Sequence, residues 1–250
     1  MGFVRFALAV IVLISHAGYQ EGSIGALASV EAFFILSGTY MCAVWRTRYA
    51  GMPSRIFFTS RAMRLWPTYL TIFLFTFLCY LIWGAQLNDN NLFDLFRDIK
   101  AHGFTRMNSL MLFISVILFG QDILSLAEPV HFMLPVRQSW SIASELLFYL
   151  TVPLIFRGHR FIMLLVGFAA LMLCKYLLMT TYGWRYSYFL PVGNLGYFLL
   201  GGSLYYVSQL SLVEKLKARL SSWRNPLMLI FILFQAALKK NISPKQESAR

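Results

Sequence analysis

The chain has 250 residues, of which 58% are hydrophobic and only 13% charged, and its mean hydropathy is +0.63. Water-soluble globular domains do not reach that balance, which excludes a soluble enzyme or a soluble nucleic-acid-binding domain. The formal charge of +12 then reads as arginines and lysines holding cytoplasmic loops in place, with no nucleic acid as partner.

The apolar residues gather into blocks about as long as a ~30 Å hydrocarbon core is thick, and they lack the strict alternation of barrel strands. Helices satisfy their backbone groups internally, so the expected fold is all-α, a polytopic membrane bundle of about seven to eight segments. Residues 4–19, 27–45, 66–84, 139–156, 160–179 and 187–207 form the clear spans, with shorter blocks at 107–120 and 226–239. A single membrane domain over residues 1–240 and a polar tail over 241–250 are expected. The first block follows an arginine, as in a signal peptide, but it runs into "HAGYQEG" without a small-x-small cleavage site, so it is expected to stay as the first helix.

Basic residues orient these segments. The turn "QEGSIGA" after the first block has no Lys or Arg, whereas Arg46, Arg48, Arg55, Arg61 and Arg64 follow the second. The positive-inside rule therefore predicts a multi-pass protein of the plasma (cell inner) membrane with a cytoplasmic N-terminus. Treating 107–120 as re-entrant keeps Arg157 and Arg160 on the side of those arginines and agrees with its short length. Residues 85–138 then become an external region with one membrane dip.

Several polar residues interrupt this apolar pattern. In "RFALAVIVLISHAGY", Arg5 and His16 are separated by about 16.5 Å of helix rise and about three turns plus 20°, so they share one face. A desolvated imidazole is neutral and accepts a proton at physiological pH, which makes His16 a candidate general base. An imidazole satisfied by a neighbouring helix and a snorkelling arginine fit the same spacing. Glu31, in "SVEAFFILSGTYM", sits on the hairpin with His16 and is placed either to orient it or to meet interfacial water.

Arg61 and Arg64, in "FFTSRAMRLWPTYL", are one turn apart just before Pro67, which is expected to open the third span. Two guanidiniums on one face fork onto phosphate oxygens, of a lipid headgroup or another ligand. Glu145, in "WSIASELLFYL", enters a span as a carboxylate that is costly unless paired or functional. Trp140 ahead of it reads as an interfacial anchor, and Lys175 as a lysine near enough to its span's end to snorkel. Gly193, Gly196, Gly201 and Gly202 are expected to let helices approach closely, while Asn194 either bonds across helices or lines a cavity. Cys42, Cys79 and Cys174 have neither disulfide nor metal-ligand spacing.

Taken in order, four of these elements resemble the membrane acyltransferase-3 family, which O-acetylates cell-surface polysaccharides and related acceptors. Arg5 and His16 match the arginine and histidine of that family's first span. "VEAFFILSGTY" matches its "VDLFFVLSGF"-like second span, with Glu31 in place of an aspartate. "SRAMRLWPTYL" matches its "RRxxRIxPxY"-like cytoplasmic stretch, and "WSIASELLFYL" its "WSLSVExxFYL"-like span. The resemblance covers residues 5 to about 150 and extends weakly into "YFLLGGSLYY".

It implies an acyltransferase that uses acyl-CoA, acetyl-CoA above all, and an acceptor hydroxyl on a saccharide or lipid-linked saccharide, with no metal. His16 becomes the base, Arg5 a donor-site or pathway group, and Glu145 a carboxylate supporting the centre. Arg61 and Arg64 stand near the donor's phosphates, with Glu31, Trp140 and Ser141 on the substrate or supporting side. Family members carry more spans than this chain, which implies a chain shortened at its C-terminal side. The competing reading is a non-enzymatic membrane transport or assembly component that kept the scaffold.

Overall fold

The computed structural model describes residues 2–16, 23–84, 94–127, 131, 133–157 and 161–209. Its helices in chain order are α1 (Gly2–His16), α2 (Ser23–Thr47), α3 (Ser54–Trp83), α4 (Asp94–His102), α5 (Arg106–Ile117), α6 (Gln121–Leu124), α7 (Ser139–Ile155), α8 (Phe161–Tyr182), α9 (Trp184–Phe189) and α10 (Pro191–Ser208). Among the described residues there is no strand. One compact unit covers Met1–Tyr205; the second, Tyr206–Arg250, is described only through Gln209. The apolar block at 226–239, the tail at 241–250 and Arg160 therefore lie outside the described residues.

Among the described residues three helices are long and apolar enough to cross a membrane: Gly25–Thr47, Ser54–Trp83 and Phe161–Tyr182. Phe3–Ser15, Arg106–Ile117 and Ser139–Ile155 are apolar but shorter. The chain is thus all-α and membrane-embedded, which is the class the hydropathy pattern calls for.

Two boundaries differ from the sequence expectation. Pro67 does not open a helix, because α3 begins at Ser54 and runs through it. A proline removes one N–H from the ladder, yet here the 30-residue helix continues past it, with Arg61 buried before it and Tyr69 after. Conversely, the block at 187–207 is broken in two, with Leu190 extended (φ −65°, ψ 122°) between α9 and α10. Pro191 explains that break, since a residue preceding proline is driven out of the helical region.

The helix α5 runs antiparallel to the second half of α3 and stops near its middle. Phe104 and Leu112 share a cavity with Phe73 and Phe77, while Trp66 Nε1 donates to the Val116 carbonyl at 3.3 Å and Tyr69 donates to that of Ser115. Thr105 caps its start by accepting from the Asn108 N–H at 3.1 Å. Leu118 (φ 68°) and Gly120 (φ 85°) then turn the chain in the left-handed region, which only glycine enters without strain. After that reversal α6 packs on α7, where Gln121 bonds Tyr69 at 3.1 Å and accepts from Ser139.

Around α2 the bundle closes, with α1 on one side and α7 on another. α2 and α10 approach closely: a Cβ on Gly38 would overlap the Phe198 carbonyl, and one on Gly201 would overlap that of Ile35. Thr39 Oγ1 fills the same crossing by donating to the Gly201 carbonyl at 2.8 Å. Gly201 thus does what the small-residue stripe predicts, and Gly38 is the partner that makes the crossing possible. At one end of the bundle Arg46 and Arg157 line one cavity, so the α2–α3 turn and the end of α7 lie together.

Candidate functional site

The centre is built from α1, α2 and α7. Arg5 Nη2 donates to Ser37 Oγ at 3.1 Å, Ser37 Oγ donates to Glu145 Oε1, and Tyr149 OH donates to the same oxygen at 2.6 Å. Glu145 is 5% exposed and Ser37 and Tyr149 are buried. The Ser37 hydroxyl both accepts and donates, so it links guanidinium to carboxylate across three helices. A buried carboxylate needs such donors, because desolvation without them costs several kcal/mol, roughly. Phe33 and Tyr40 flank the guanidinium of Arg5, with ring centroids 5.1 and 5.6 Å from its Cζ.

Sequence reasoning named Arg5 and Glu145 without seeing that they share a partner. Tyr149 was readable as the i+4 neighbour of Glu145 on a helix, whereas Ser37, though it lies in the matched stretch "VEAFFILSGTY", has nothing in the sequence to pair it with a carboxylate 108 positions away. His16 ends α1, eleven positions from Arg5 along the same helix. Its side chain lies outside the described residues.

Toward the end that carries Arg46 and Arg157, the Tyr40 ring also lies 5.6 Å from Arg64 Cζ, so Arg5 and Arg64 share one aromatic side chain. Arg64 is exposed, but Arg61 is only 4% exposed, set 5.5 Å from the Phe57 ring and 6.0 Å from that of Tyr49. Its Nε and Nη1 are buried without a hydrogen-bond partner among the described residues. Donors of that kind are rare in a folded interior and are the complement of an anion. On the other side of Tyr49 is a cavity of about 460 Å³, lined by Arg46, Tyr49, Ser54 and Arg157 among others, with Arg61 outside its lining. Tyr49 is drawn below the usual tyrosine range by a hydrogen bond from Ser60 and then by Arg61, with burial working the other way.

At the opposite end of α7, Trp140 is not an interfacial anchor. Its indole is 6% exposed and packs on Phe34, Tyr188 and Phe189, with centroids 6.5, 4.6 and 5.0 Å away. Ser141 lines two cavities, of about 210 Å³ and 290 Å³, the smaller of which also touches Glu145. Glu31 accepts from Lys175 Nζ at 3.0 Å. Lys175 therefore turns into the bundle instead of snorkelling, and it also donates to Asn194 Oδ1 at 2.9 Å and lies 4.8 Å from the Tyr197 ring. Asn194 completes the link by donating to the Tyr188 carbonyl at 2.6 Å.

A second buried carboxylate escaped the sequence reading. Asp122 on α6 is fully buried, accepts from the Ile123 N–H at 2.9 Å and from Ser144 Oγ at 3.3 Å, and so binds α6 to the residue preceding Glu145. Burial pushes its carboxyl above the ordinary 3.8, the bonds from Ile123 and Ser144 only partly opposing this. Between 3.8 and the raised value the folded chain holds a proton that the unfolded chain has lost, so stability falls as pH rises through that window. Asp122→Asn is expected to unfold at a higher temperature than the parent at pH 7, with the difference closing as the pH approaches 4. Thermal unfolding in detergent across that range checks this; a parallel offset at all pH values would contradict it.

Among the described residues no group of His, Cys, Asp and Glu is arranged to hold a metal ion. The polar centre instead offers hydrogen-bond donors, one carboxylate and a path of cations leading to it. Comparisons with protein-family models, with curated proteins and with solved structures each return no match.

Proposed function

We propose that the chain is an integral-membrane O-acyltransferase, moving an acyl group, acetyl by its motifs, from acyl-CoA to a hydroxyl of a cell-surface or exported saccharide. The observation that carries this reading is the convergence of motifs far apart in sequence: Arg5, Ser37 and Glu145 form one bonded chain, and Arg64 shares the Tyr40 ring with Arg5. Arg61, with its unpartnered donors, supplies the anion-binding group that a nucleotide-bearing donor requires.

In this mechanism the basic end of the bundle faces the cytoplasm, the N-terminus with it, in a plasma membrane crossed by the apolar helices while α5 dips and returns. Arg61 and Arg64 take the phosphates of acyl-CoA, and the thioester extends toward Glu145. His16 removes the proton of the acceptor hydroxyl, whose oxygen attacks the thioester carbonyl. The C–O bond forms as the C–S bond breaks, and the proton passes from the base to the departing thiolate. Arg5, through Ser37, holds Glu145 in place beside that step.

Membranes containing the protein are expected to transfer label from acetyl-CoA to glycan, and mass spectrometry of the surface glycans is expected to differ by one acyl group with and without the gene. The Arg61→Ala, Arg64→Ala double variant should lose at least about 90% of that transfer, in line with removal of charge-assisted phosphate contacts. Biological activity retained in the double variant, with no acetyl-CoA-dependent product, would favour a transport or assembly role.

A further inference from the structure

A cavity of about 210 Å³ lies between α1, α2 and α7, with Glu145 on its lining. Leu8 and Val12 of α1, Val30, Phe33 and Phe34 of α2 and Ile142 of α7 give it apolar walls. The hydroxyls of Ser29 and Ser141 also line it, and each gives its proton to a backbone carbonyl one turn back along the chain, that of Gly25 at 2.5 Å and that of Gln138 at 2.9 Å.

Position ties this cavity to the polar centre. Its residues follow Arg5 on α1, precede Ser37 on α2 and precede Glu145 on α7. On all three helices they therefore lie beyond the Arg5–Ser37–Glu145 chain from the end that carries Arg46 and Arg157. Arg64, at the Tyr40 ring, and Arg61, beside Tyr49 and Phe57, stand on the side of that basic end. A donor held there by its phosphates meets the polar chain first and the cavity second, with the thioester at Glu145 and the acyl chain past it.

Size and chemistry then define the chain. Apolar walls suit a group without polar atoms, because a buried hydroxyl left without a partner costs free energy that a methylene does not. A dry apolar cavity of about 150 Å³ takes a benzene ring, so 210 Å³ has room for an acyl chain of about four to six carbons. The methyl of an acetyl group fills a small part of that space, and the rest of the wall goes without contacts that further methylenes would make.

We propose that this cavity is the acyl-chain pocket of the donor site and that it selects a saturated chain of about four to six carbons over acetyl. The proposal rests on the acyltransferase reading and adds to it the length of the group transferred. The bonds exchanged stay the same: the acceptor oxygen forms the ester C–O bond to the chain's carbonyl carbon as the C–S bond breaks, and the acceptor's proton ends on the departing thiolate. Ile142, half-buried on the lining about one turn before Glu145, is the residue whose bulk sets how long a chain fits.

The test is a titration of the full chain in lipid nanodiscs with acetyl-, butyryl-, hexanoyl- and octanoyl-CoA, empty nanodiscs serving as the blank for partition into lipid. Butyryl- and hexanoyl-CoA are expected to bind at least about tenfold tighter than acetyl-CoA, the gain from burying two methylenes or more, and octanoyl-CoA no tighter than hexanoyl-CoA. Ile142→Phe should bring butyryl- and hexanoyl-CoA down to the acetyl level, and Ile142→Ala should make octanoyl-CoA the tightest. Misfolding cannot move the preference in both directions. Equal binding of all the thioesters by the parent protein, or a rise through octanoyl-CoA that neither variant alters, overturns the proposal. Transfer of each labelled acyl group to surface glycan in membranes separates the two readings. A chain-length preference governed by Ile142 without transfer of any group supports the pocket and removes the reaction; transfer fastest from acetyl-CoA, with equal binding of the thioesters, removes the pocket alone.

Discussion

Glu145→Gln is expected, on the proposed acyltransferase function, to lower acyl transfer by about 10²-fold or more, the usual scale for losing a group that acts on charge in the transition state. The substitution keeps the shape of the side chain, so the packing of α7 has no reason to change. What it removes is the anion. In the parent protein both Ser37 and Tyr149 donate to one carboxylate oxygen, and Arg5 reaches it through Ser37. Glutamine keeps one acceptor oxygen but replaces the other with an amide NH2 that only donates, and it leaves the Arg5 charge without its counterion. Initial rates of labelled acetyl transfer, measured beside thermal unfolding of the same preparations, check this. A rate within about threefold of the parent, well short of the ordinary scale of acid–base contributions, would show that the carboxylate only packs.

Lys175→Met is expected to destabilise the bundle by about 3 kcal/mol, the lower end for breaking a buried ion pair. The lower end applies because the two side chains keep 14% and 21% of their exposure. The lysine joins three helices, bonding Glu31 on α2 and Asn194 on α10 from its own position on α8. Removing it leaves the part-buried Glu31 carboxylate without its cation, which is a larger penalty than the pair itself is worth. The double replacement Glu31→Gln, Lys175→Met should therefore recover much of the loss. Thermal unfolding of the three variants in detergent measures the coupling. Additive losses would mean that Lys175 acts through its alkyl stem alone, packed on Gly193.

The helices were legible because hydropathy is a local property. In hydrocarbon every backbone group must be satisfied within the segment, so a long apolar run has no alternative to a helix. Even so, α4, whose Phe96 is buried against α3, stayed hidden, since nine residues with charges at both ends do not resemble a span. Pro67 misled for a related reason: a proline signals a helix start or stop, yet α3 runs through it from Ser54 to Trp83.

The candidate site divides along the same line. By itself the sequence determined which residues were anomalous: an arginine, two glutamates and a lysine in apolar helices, paired arginines at a basic turn, and glycines in a stripe. Their partners were decided only by the tertiary structure. Ser37 meets Glu145, Lys175 meets Glu31 rather than an aqueous boundary, Asp122 meets Ser144, and Gly38 meets the backbone at Phe198. Each of these contacts depends on the rotation and depth of one helix against another. Those two quantities are set by side-chain packing across the whole bundle, and an apolar window reads the same whichever way its helix is turned.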